Sequence, residues 1–256
     1  MEIWSARYKP MISLNNIHKS FGNKNVLNGI SAEIPKGEIV FILGKSGVGK
    51  SVLLKLLVGL LAVDKGHIVI DNLDVTELNE DALSGIRKKC ALIFQFPALL
   101  DSVSVAENIA LGLKVAGEEW SPSIQEKIIE EKLAAVRLKA TTADRMPNTL
   151  SFGVQKRVSI ARALAMNPQY LLFDEPTTGM DPVVTATLND LIFSLSRDLN
   201  ATSIVVSHDL KSARKIADRI LLLEEGKIVF DGNPVQFEKS PHPLAAAFRQ
   251  EGEFDV

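Results

Sequence analysis

The sequence predicts an α/β fold with a mostly parallel central sheet, an N-terminal antiparallel β subdomain and an inserted α-helical subdomain. Apolar strand patterns alternate with helical patterns along much of the 256-residue chain, which is typical of a parallel sheet with right-handed crossovers. Short strand patterns separated by turns precede residue 38, and no strand pattern occurs between residues 96 and 146. Hydrophobic residues make up 46% of the chain, enough for the core of one large or two small domains.

The first strand patterns are short and are separated by turn signals. Residues 12–17 alternate between apolar and polar side chains, and residues 26–27 and 30–34 form further strand patterns. Residues 19–25 predict a turn with Phe21 at its tip. An exposed aromatic ring there can stack on a nucleotide base, although most such aromatics belong to the core.

A glycine-rich stretch at residues 44–51 fits the pattern of a phosphate-binding loop, which is Gly, four residues, then Gly-Lys-Ser. A buried strand pattern at residues 38–43 precedes it, and a predicted helix at residues 50–62 follows it. Glycines let phosphate oxygens approach the backbone, allow positive φ, and leave amide groups facing an anion near a helix N-terminus. A simple glycine-rich turn is the alternative. The residues assigned to phosphate binding are Gly44, Lys45, Ser46, Gly47, Val48, Gly49, Lys50 and Ser51.

An acidic pair, Asp174 and Glu175, follows a second buried strand pattern at residues 169–173. We expect Asp174 to hold Mg²⁺ together with Ser51, while Lys50 reaches the β- and γ-phosphates of a nucleotide. We expect Glu175 to orient or deprotonate the attacking water. The alternative is that the pair forms a solvated sheet edge or a helix cap.

Two further polar residues end predicted strands. Gln95 follows the strand pattern at residues 91–94, and its amide can bond a metal ion, a metal-bound water or the nucleophile. His208 follows the pattern at residues 203–206, and its imidazole can bond a γ-phosphate, although a lone histidine is usually structural. Because ligands of parallel sheets bind at the carboxyl ends of strands, these residues, the acidic pair and the loop should share one site.

Helical patterns occupy most of the remaining chain. Ser151 is a natural N-cap, and Pro182 suits the first turn of a helix. Further helices are predicted at residues 81–89, 105–116, 124–138, 152–166, 182–198 and 210–217. Further strands are predicted at residues 67–70 and in a hairpin of residues 220–223 and 227–230, before a short helical tail from residue 234.

Composition excludes several classes of protein. The net charge of −2 predicts no general attraction to nucleic acid or anionic lipid. Cys90 is the only cysteine, so no disulfide can form within the chain. The longest apolar stretch, residues 52–63, is interrupted by Lys55 and Gly59 and is too short for a bilayer span, and no signal peptide is expected.

Six motifs occur in an order that resembles the ATP-binding subunits of ABC transporters, over nearly the whole chain. They are Phe21, residues 44–51, Gln95, the signature-like residues 150–154, the pair Asp174 and Glu175, and His208. The resemblance implies a P-loop NTPase of ABC type that binds ATP and Mg²⁺. It implies one domain at residues 11–245, with a catalytic core at 11–95 and 161–235, a helical insert at 96–160 and a tail at 236–256.

The resemblance also implies a head-to-tail homodimer that sandwiches ATP. Ser151 and Gly153 would then contact the nucleotide of the partner, Phe21 would stack on adenine, and Asp181 would communicate across the dimer. The family signature usually reads Leu-Ser-Gly-Gly-Gln, whereas this chain has Phe152 and Val154 at its third and fifth positions. If Phe152 replaces a left-handed glycine, we expect a cost of about 1–2 kcal/mol.

Within this family, residues 94–109 resemble the ATPase of Mla-type (maintenance of lipid asymmetry) transporters, with softer similarity at residues 145–147, 156–158 and 178–182. The resemblance implies phospholipid transport between bacterial membranes, powered from the cytoplasmic face of the inner membrane. Its implied partners are an integral-membrane permease and an MCE-domain protein, and a STAS-domain protein also occurs in such systems. Another cargo, such as lipoprotein or amino acids, and a non-transport ABC ATPase are the alternatives.

Overall fold

The structure is a computed structural model that describes residues 12–117 and 120–251. Residue 11 of the predicted domain and residues 252–256 of the predicted tail therefore lie outside the described residues. The strands are β1 (Ile12–Phe21), β2 (Lys24–Ile34), β3 (Ile39–Leu43), β4 (Lys65–Ile70), β5 (Leu73–Asp74), β6 (Cys90–Ile93), β7 (Tyr170–Asp174), β8 (Thr202–Ser207), β9 (Arg219–Glu224) and β10 (Lys227–Gly232).

The α-helices are α1 (Lys50–Leu57), α2 (Glu80–Lys89), α3 (Val105–Ala116), α4 (Pro122–Ala135), α5 (Phe152–Leu164), α6 (Pro182–Asp198), α7 (Leu210–Ile216), α8 (Pro234–Glu238) and α9 (Pro243–Glu251). Single 3₁₀ turns occur at Val75–Glu77, Ala140–Thr142 and Pro147–Thr149. Within the described residues, no helix has the length and apolar character that crossing a membrane requires.

The central sheet has six strands in the order β10-β9-β3-β8-β7-β6. All neighbouring pairs from β9 to β6 are parallel, and β10 pairs with β9 as an antiparallel edge strand. The prediction of a mostly parallel sheet is confirmed. Because β3, β8 and β7 are adjacent and parallel, the residues that follow each of them emerge at one edge of the sheet.

Both faces of this sheet are covered. Alternate residues of a strand point to opposite faces, so Phe41 and Leu43 join one core with α3, α5, α6 and α7. Val40 and Ile42 join a second core with α1, α2 and the smaller antiparallel sheet. A parallel sheet buried on both faces explains why its strands read as continuous apolar runs.

The smaller sheet has the order β2-β1-β4-β5, with antiparallel pairing throughout. It takes in β4 and β5 from beyond the glycine-rich loop, so it is not built from N-terminal strands alone. The predicted turn at residues 19–25 is wrong in extent, because Phe21 pairs with Lys24 and only Gly22 and Asn23 form the turn. Gly22 has φ 58°, a left-handed conformation that glycine adopts without a side-chain clash.

Helix α1 is shorter than predicted, because it ends at Leu57 rather than near residue 62. Gly59 takes a left-handed φ of 63° and donates its amide hydrogen to the carbonyl of Leu56. The next amide, that of Leu60, bonds the carbonyl of Lys55. This pair of bonds is a Schellman motif, so glycine geometry ends the helix although the apolar pattern continues.

Helices α3, α4 and α5 account for much of the chain between β6 and β7. Ser104 and Glu107 form a capping box at the start of α3, which begins and ends at the predicted residues. Helix α3 crosses α5 at Gly112, where an added Cβ would lie 2.1 Å from the backbone oxygen of Arg162. Only glycine permits this close approach of two helix backbones.

Replacing Gly112 by alanine should therefore destabilise the fold by about 1–3 kcal/mol, because the methyl group forces α3 and α5 apart. The control is Gly85→Ala in α2, where an added Cβ meets nothing within 4 Å. That change should stabilise the chain by about 0.5–1 kcal/mol, since alanine is the better helix former. Denaturant unfolding followed by circular dichroism measures both, and a Gly112→Ala variant as stable as Gly85→Ala would contradict the packing described.

Candidate active site

The glycine-rich loop connects β3 to α1. Gly47 and Gly49 have φ of 77° and 109°, as the loop pattern predicts. Gly44 differs from the expectation, because its φ is not positive. This position requires glycine because of limited space, since an added Cβ would lie 2.6 Å from the backbone oxygen of Leu223. Lys45, Ser46 and Gly47 are exposed at the rim of the loop, while Val48 is half-buried behind it.

Lys50 begins α1 and is almost completely buried, with 4% of its side chain exposed. Its ammonium donates to the carbonyl oxygens of Gly44 at 2.7 Å and Lys45 at 3.1 Å. It also lies 3.2 Å from Oε1 of Glu175. Since an ammonium has three N–H donors, these contacts satisfy it and draw the loop towards the end of β7.

Ser51 and Asp174 form the second contact between the loop and β7. The Ser51 hydroxyl donates to Oδ1 of Asp174 at 2.6 Å. A hydroxyl and a carboxylate are hard oxygen ligands of the kind Mg²⁺ prefers, and the carboxylate supplies the negative charge. The donor set therefore fits a magnesium ion between these two residues.

Glu175 is held at both carboxylate oxygens. Oε2 accepts hydrogen bonds from the Thr178 hydroxyl at 3.0 Å and from Nδ1 of His208 at 2.9 Å, while Oε1 faces Lys50. The Glu175 backbone has φ 45° and donates its amide hydrogen to Val206 of β8 at 3.0 Å. A left-handed glutamate is costly, and such strain is concentrated at functional sites.

Gln95 lies two residues beyond β6, in a half-buried position. Its backbone oxygen accepts a hydrogen bond from the ammonium of Lys156 at 2.9 Å, and the oxygen of Phe94 accepts a second, shorter bond. Lys156 is completely buried on α5. Burial lowers the pKa of Lys156 to about 8, and the charge of Asp174 opposes that shift.

The signature-like residues lie at the start of α5. Ser151 is the N-cap by backbone conformation, but its exposed side chain makes no capping hydrogen bond within the described residues. Gly153 faces α6, where an added Cβ would lie 2.9 Å from Cγ1 of Val184. Phe152 is the first helical residue and has no positive φ, so the condition for a strain cost at this position is not met. Its ring instead contacts Phe96 edge-on, with centroids 6.5 Å apart.

Phe21 and Asp181 make no contact with the side chains of Lys50, Asp174 or Glu175 among the described hydrogen bonds and ion pairs. The Phe21 side chain is 48% exposed at the end of β1, with the Lys19 ammonium 5.4 Å from the ring centroid. Asp181 is the N-cap of α6, and its Oδ1 accepts hydrogen bonds from the amides of Val183 and Val184, both at 3.0 Å. The single chain leaves the Phe21 ring open to stacking and leaves Asp181 exposed at the surface.

The structure thus brings five of the sequence-predicted side chains together in two adjacent groups. Lys50 and His208 both contact Glu175. Ser51 and Asp174, their neighbours along the chain, form the second pair. Two residues with contacts to the site were not predicted for it. Thr178 lies three residues after Glu175, and this short spacing could have suggested the hydrogen bond between the two side chains. Lys156 offered no comparable signal, because its contact with Gln95 spans 61 residues of sequence.

The fold and these two groups of contacts define an ABC-type P-loop ATPase domain. The family model described as "ABC transporter" matches residues 27–178. The chain therefore belongs to the ABC transporter family.

Three relatives have names that point to different cargoes. Protein TRIGALACTOSYLDIACYLGLYCEROL 3, chloroplastic, from Arabidopsis thaliana is 38% identical over 93% of this chain and 73% of its own length. The methionine import ATP-binding protein MetN of Brucella abortus is 38% identical over 89% of this chain and 61% of its own length. The probable ribonucleotide transport ATP-binding protein mkl of Mycobacterium bovis is 36% identical, covering 93% of this chain and 66% of its own.

Two solved structures match most of this chain. CbiO1 from Clostridium perfringens, described as part of the ABC transporter complex cbiONQ, superposes with a TM-score of 0.81 at 26% identity, covering 94% of this chain and 98% of its own. The dimeric bacterial ABC transporter cassette MJ0796 superposes with a TM-score of 0.80 at 33% identity, covering 88% and 99%. The same cassette is also known in a post-hydrolysis state with ADP and phosphate.

Replacing Phe21 by alanine should weaken ATP binding about 5- to 150-fold, because a stacked aromatic ring is worth about 1–3 kcal/mol. Inorganic tripolyphosphate, which has no base, should bind the variant as well as it binds the original chain. Phe21→Trp, which keeps an aromatic face, is the matched control. Isothermal titration calorimetry compares the two ligands, and an equal loss for both would show that Phe21 does not contact the base.

Proposed function

We propose that this chain is the ATP-binding and ATP-hydrolysing subunit of a transporter that moves phospholipid between bacterial membranes through an integral-membrane permease. The observation that carries the ATPase part is the pair of adjacent contact groups in which Lys50 and His208 meet Glu175 and Ser51 meets Asp174. It joins the ends of three adjacent parallel strands to the glycine-rich loop, where a triphosphate would bind.

In this proposal the loop binds the phosphates of ATP. The exposed rim of the loop offers backbone amides, and the N-terminus of α1 adds partial positive charge. Lys50 exchanges its contact with Glu175 for the β- and γ-phosphates, which are stronger acceptors of a buried ammonium. Ser51 and Asp174 would hold Mg²⁺, which when bound supplies positive charge against the phosphate oxygens.

Glu175 is then free of Lys50 but still held by its other two partners. His208 and Thr178 both donate to Oε2, which leaves Oε1 to accept a proton from the attacking water. The water oxygen bonds to the γ-phosphorus as the bond from that phosphorus to the β-bridging oxygen breaks, giving ADP and phosphate. Nδ1 of His208 donates to a carboxylate, so Nε2 can donate to the γ-phosphate only in the imidazolium form, in which both ring nitrogens carry a proton.

We further propose that two chains assemble head to tail around ATP. Ser151 and Gly153 stand at the exposed N-terminus of α5, where backbone amides and the free hydroxyl suit an anion brought by another copy. Asp181 and the start of α6 lie beside them, since Gly153 packs against Val184. The dimeric form of the MJ0796 cassette supports this arrangement.

A groove between β6, α3 and α5 is the proposed docking surface for the permease. It encloses a cavity of about 260 Å³ lined mainly by apolar side chains, including Phe94, Pro97, Leu111, Val115 and Met166. The exposed rings of Phe94 and Phe96 stand beside it. The groove runs along the inserted segment proposed at residues 96–160, within the proposed domain of residues 11–245, so a docked helix would touch both core and insert.

The lipid cargo rests on two observations. The residues after Gln95 resemble those of the Mla-type ATPases. The Arabidopsis relative is named after a galactolipid, trigalactosyldiacylglycerol. Methionine uptake is a second candidate, because the Brucella relative is equally identical, at 38%, and is named for methionine import. In either case the chain would be peripheral, on the cytoplasmic face of the inner membrane.

Replacing Glu175 by glutamine should trap the ATP-bound dimer, because the amide keeps the shape of the side chain but cannot take the proton from water. Size-exclusion chromatography with Mg-ATP should then show a dimer that the original chain does not accumulate. A Glu175→Gln, Ser151→Trp double variant should remain monomeric, because the indole blocks the proposed contact with the partner's nucleotide. A Glu175→Gln chain that binds ATP but stays monomeric would rule out the sandwich.

The cargo and partners are tested by purifying the tagged chain from detergent-solubilised membranes. The lipid proposal predicts a multi-spanning permease with an MCE-domain protein, with or without a STAS-domain protein, and copurifying phospholipid, all detected by mass spectrometry. Deleting that permease should release the chain from the membrane fraction. An amino-acid permease in its place would favour methionine uptake and contradict the lipid cargo.

A further inference from the structure

The segment that carries Gln95 is tied to α5 through its backbone. Between residues 94 and 98, four carbonyl oxygens accept hydrogen bonds from two cationic side chains of that helix. Lys156 donates to the oxygens of Phe94 and Gln95, the second at 2.9 Å. Arg162 donates to the oxygens of Ala98 at 2.8 Å and Pro97 at 3.4 Å.

Lys156 is the less expected of the two donors. Its side chain is 0% exposed, and within the described residues no carboxylate lies close enough to form an ion pair with it. Burying an ammonium is costly unless its donors are satisfied. The two carbonyl oxygens meet that requirement, so the ammonium and the Gln95 backbone depend on each other for their placement.

The same helix also begins at the signature-like residues. Phe152 is the first residue of α5, and Lys156 follows it one turn later on the same face. The ring of Phe152 contacts Phe96, the neighbour of Gln95, so a second contact holds the same segment. Gln95 and the N-terminus of α5 are therefore attached to one rigid element.

We propose that Lys156 is a positioning residue for ATP hydrolysis, holding the Gln95 backbone so that the amide side chain faces the nucleotide. This inference rests on the proposed ATPase function.

The test compares Lys156→Met, which keeps an unbranched side chain one atom shorter but removes the donors, with Lys156→Arg, which keeps donors. Steady-state hydrolysis by Lys156→Met should show kcat reduced about 10- to 100-fold, since a small misplacement of a catalytic group costs about this much. KM for ATP should stay within about threefold, because Gln95 acts on the transition state rather than on ground-state binding. Lys156→Arg should recover most of kcat.

The control is Lys127→Met, the same substitution at an exposed position of α4. It should leave kcat unchanged. ADP affinity and the thermal midpoint of unfolding, measured for every variant, separate positioning from general damage to the fold. If Lys156→Met fails to fold, the shorter, neutral Lys156→Gln takes its place. Its amide can still donate to one of the two carbonyl oxygens, so kcat should fall below that of Lys156→Arg.

The decisive comparison adds Gln95→Ala. If Lys156 acts through Gln95, the double variant should hydrolyse ATP no more slowly than Gln95→Ala alone. If the double variant lost kcat by the product of the two single losses, or if Lys156→Met kept full kcat, the inference would be overturned. Either result would leave the proposed function intact. A wild-type chain that binds but never hydrolyses ATP, even as a dimer with its permease, would contradict the proposed function itself.

Discussion

The buried ammonium of Lys50 fixes the arrangement on which the rest of the site depends. It lies between two carbonyl oxygens of the glycine-rich loop and the carboxylate of Glu175. A buried lysine without these acceptors would be strongly destabilising, so the loop after β3 and the turn after β7 must stay together. The strand between them, β8, ends just before His208, which donates to the same carboxylate. Three adjacent strand ends thus converge on Glu175.

This arrangement has a consequence for ligand binding. The three N–H donors of the Lys50 ammonium already have acceptors within the chain. We therefore expect a triphosphate to displace Glu175 from Lys50 when it binds. In the proposed function, the exchange would free one oxygen of Glu175 when the γ-phosphate is in place. The left-handed backbone of Glu175 and its bonds to Thr178 and His208 keep the carboxylate oriented after Lys50 has left. In this proposal, ATP binding and activation of Glu175 as the base are one event.

The sequence indicated most of this site because the signals were local. Glycine spacing located the loop, and polar residues after apolar runs located the strand ends, since parallel strands share one edge. The bounds of helices α3 and α6 were predicted to the residue. The Schellman end of α1 and the two-residue turn after Phe21 were missed, because a glycine in the left-handed conformation sets each of them and the periodic pattern does not show it. The space requirement at Gly44 and the contact of Lys156 with Gln95 depend on residues that are distant in sequence, and no local pattern reports them.

The central claim is that Lys50 leaves Glu175 for a bound triphosphate. A structure of the chain with a non-hydrolysable ATP analogue and Mg²⁺ tests it most directly. We expect the Lys50 ammonium to lie within hydrogen-bond distance of the β- and γ-phosphate oxygens and no longer to contact Glu175. We also expect the hydroxyl of Ser51 to have turned from Asp174 to the metal. A nucleotide bound away from the loop, or a Lys50–Glu175 contact unchanged beside it, would contradict the account.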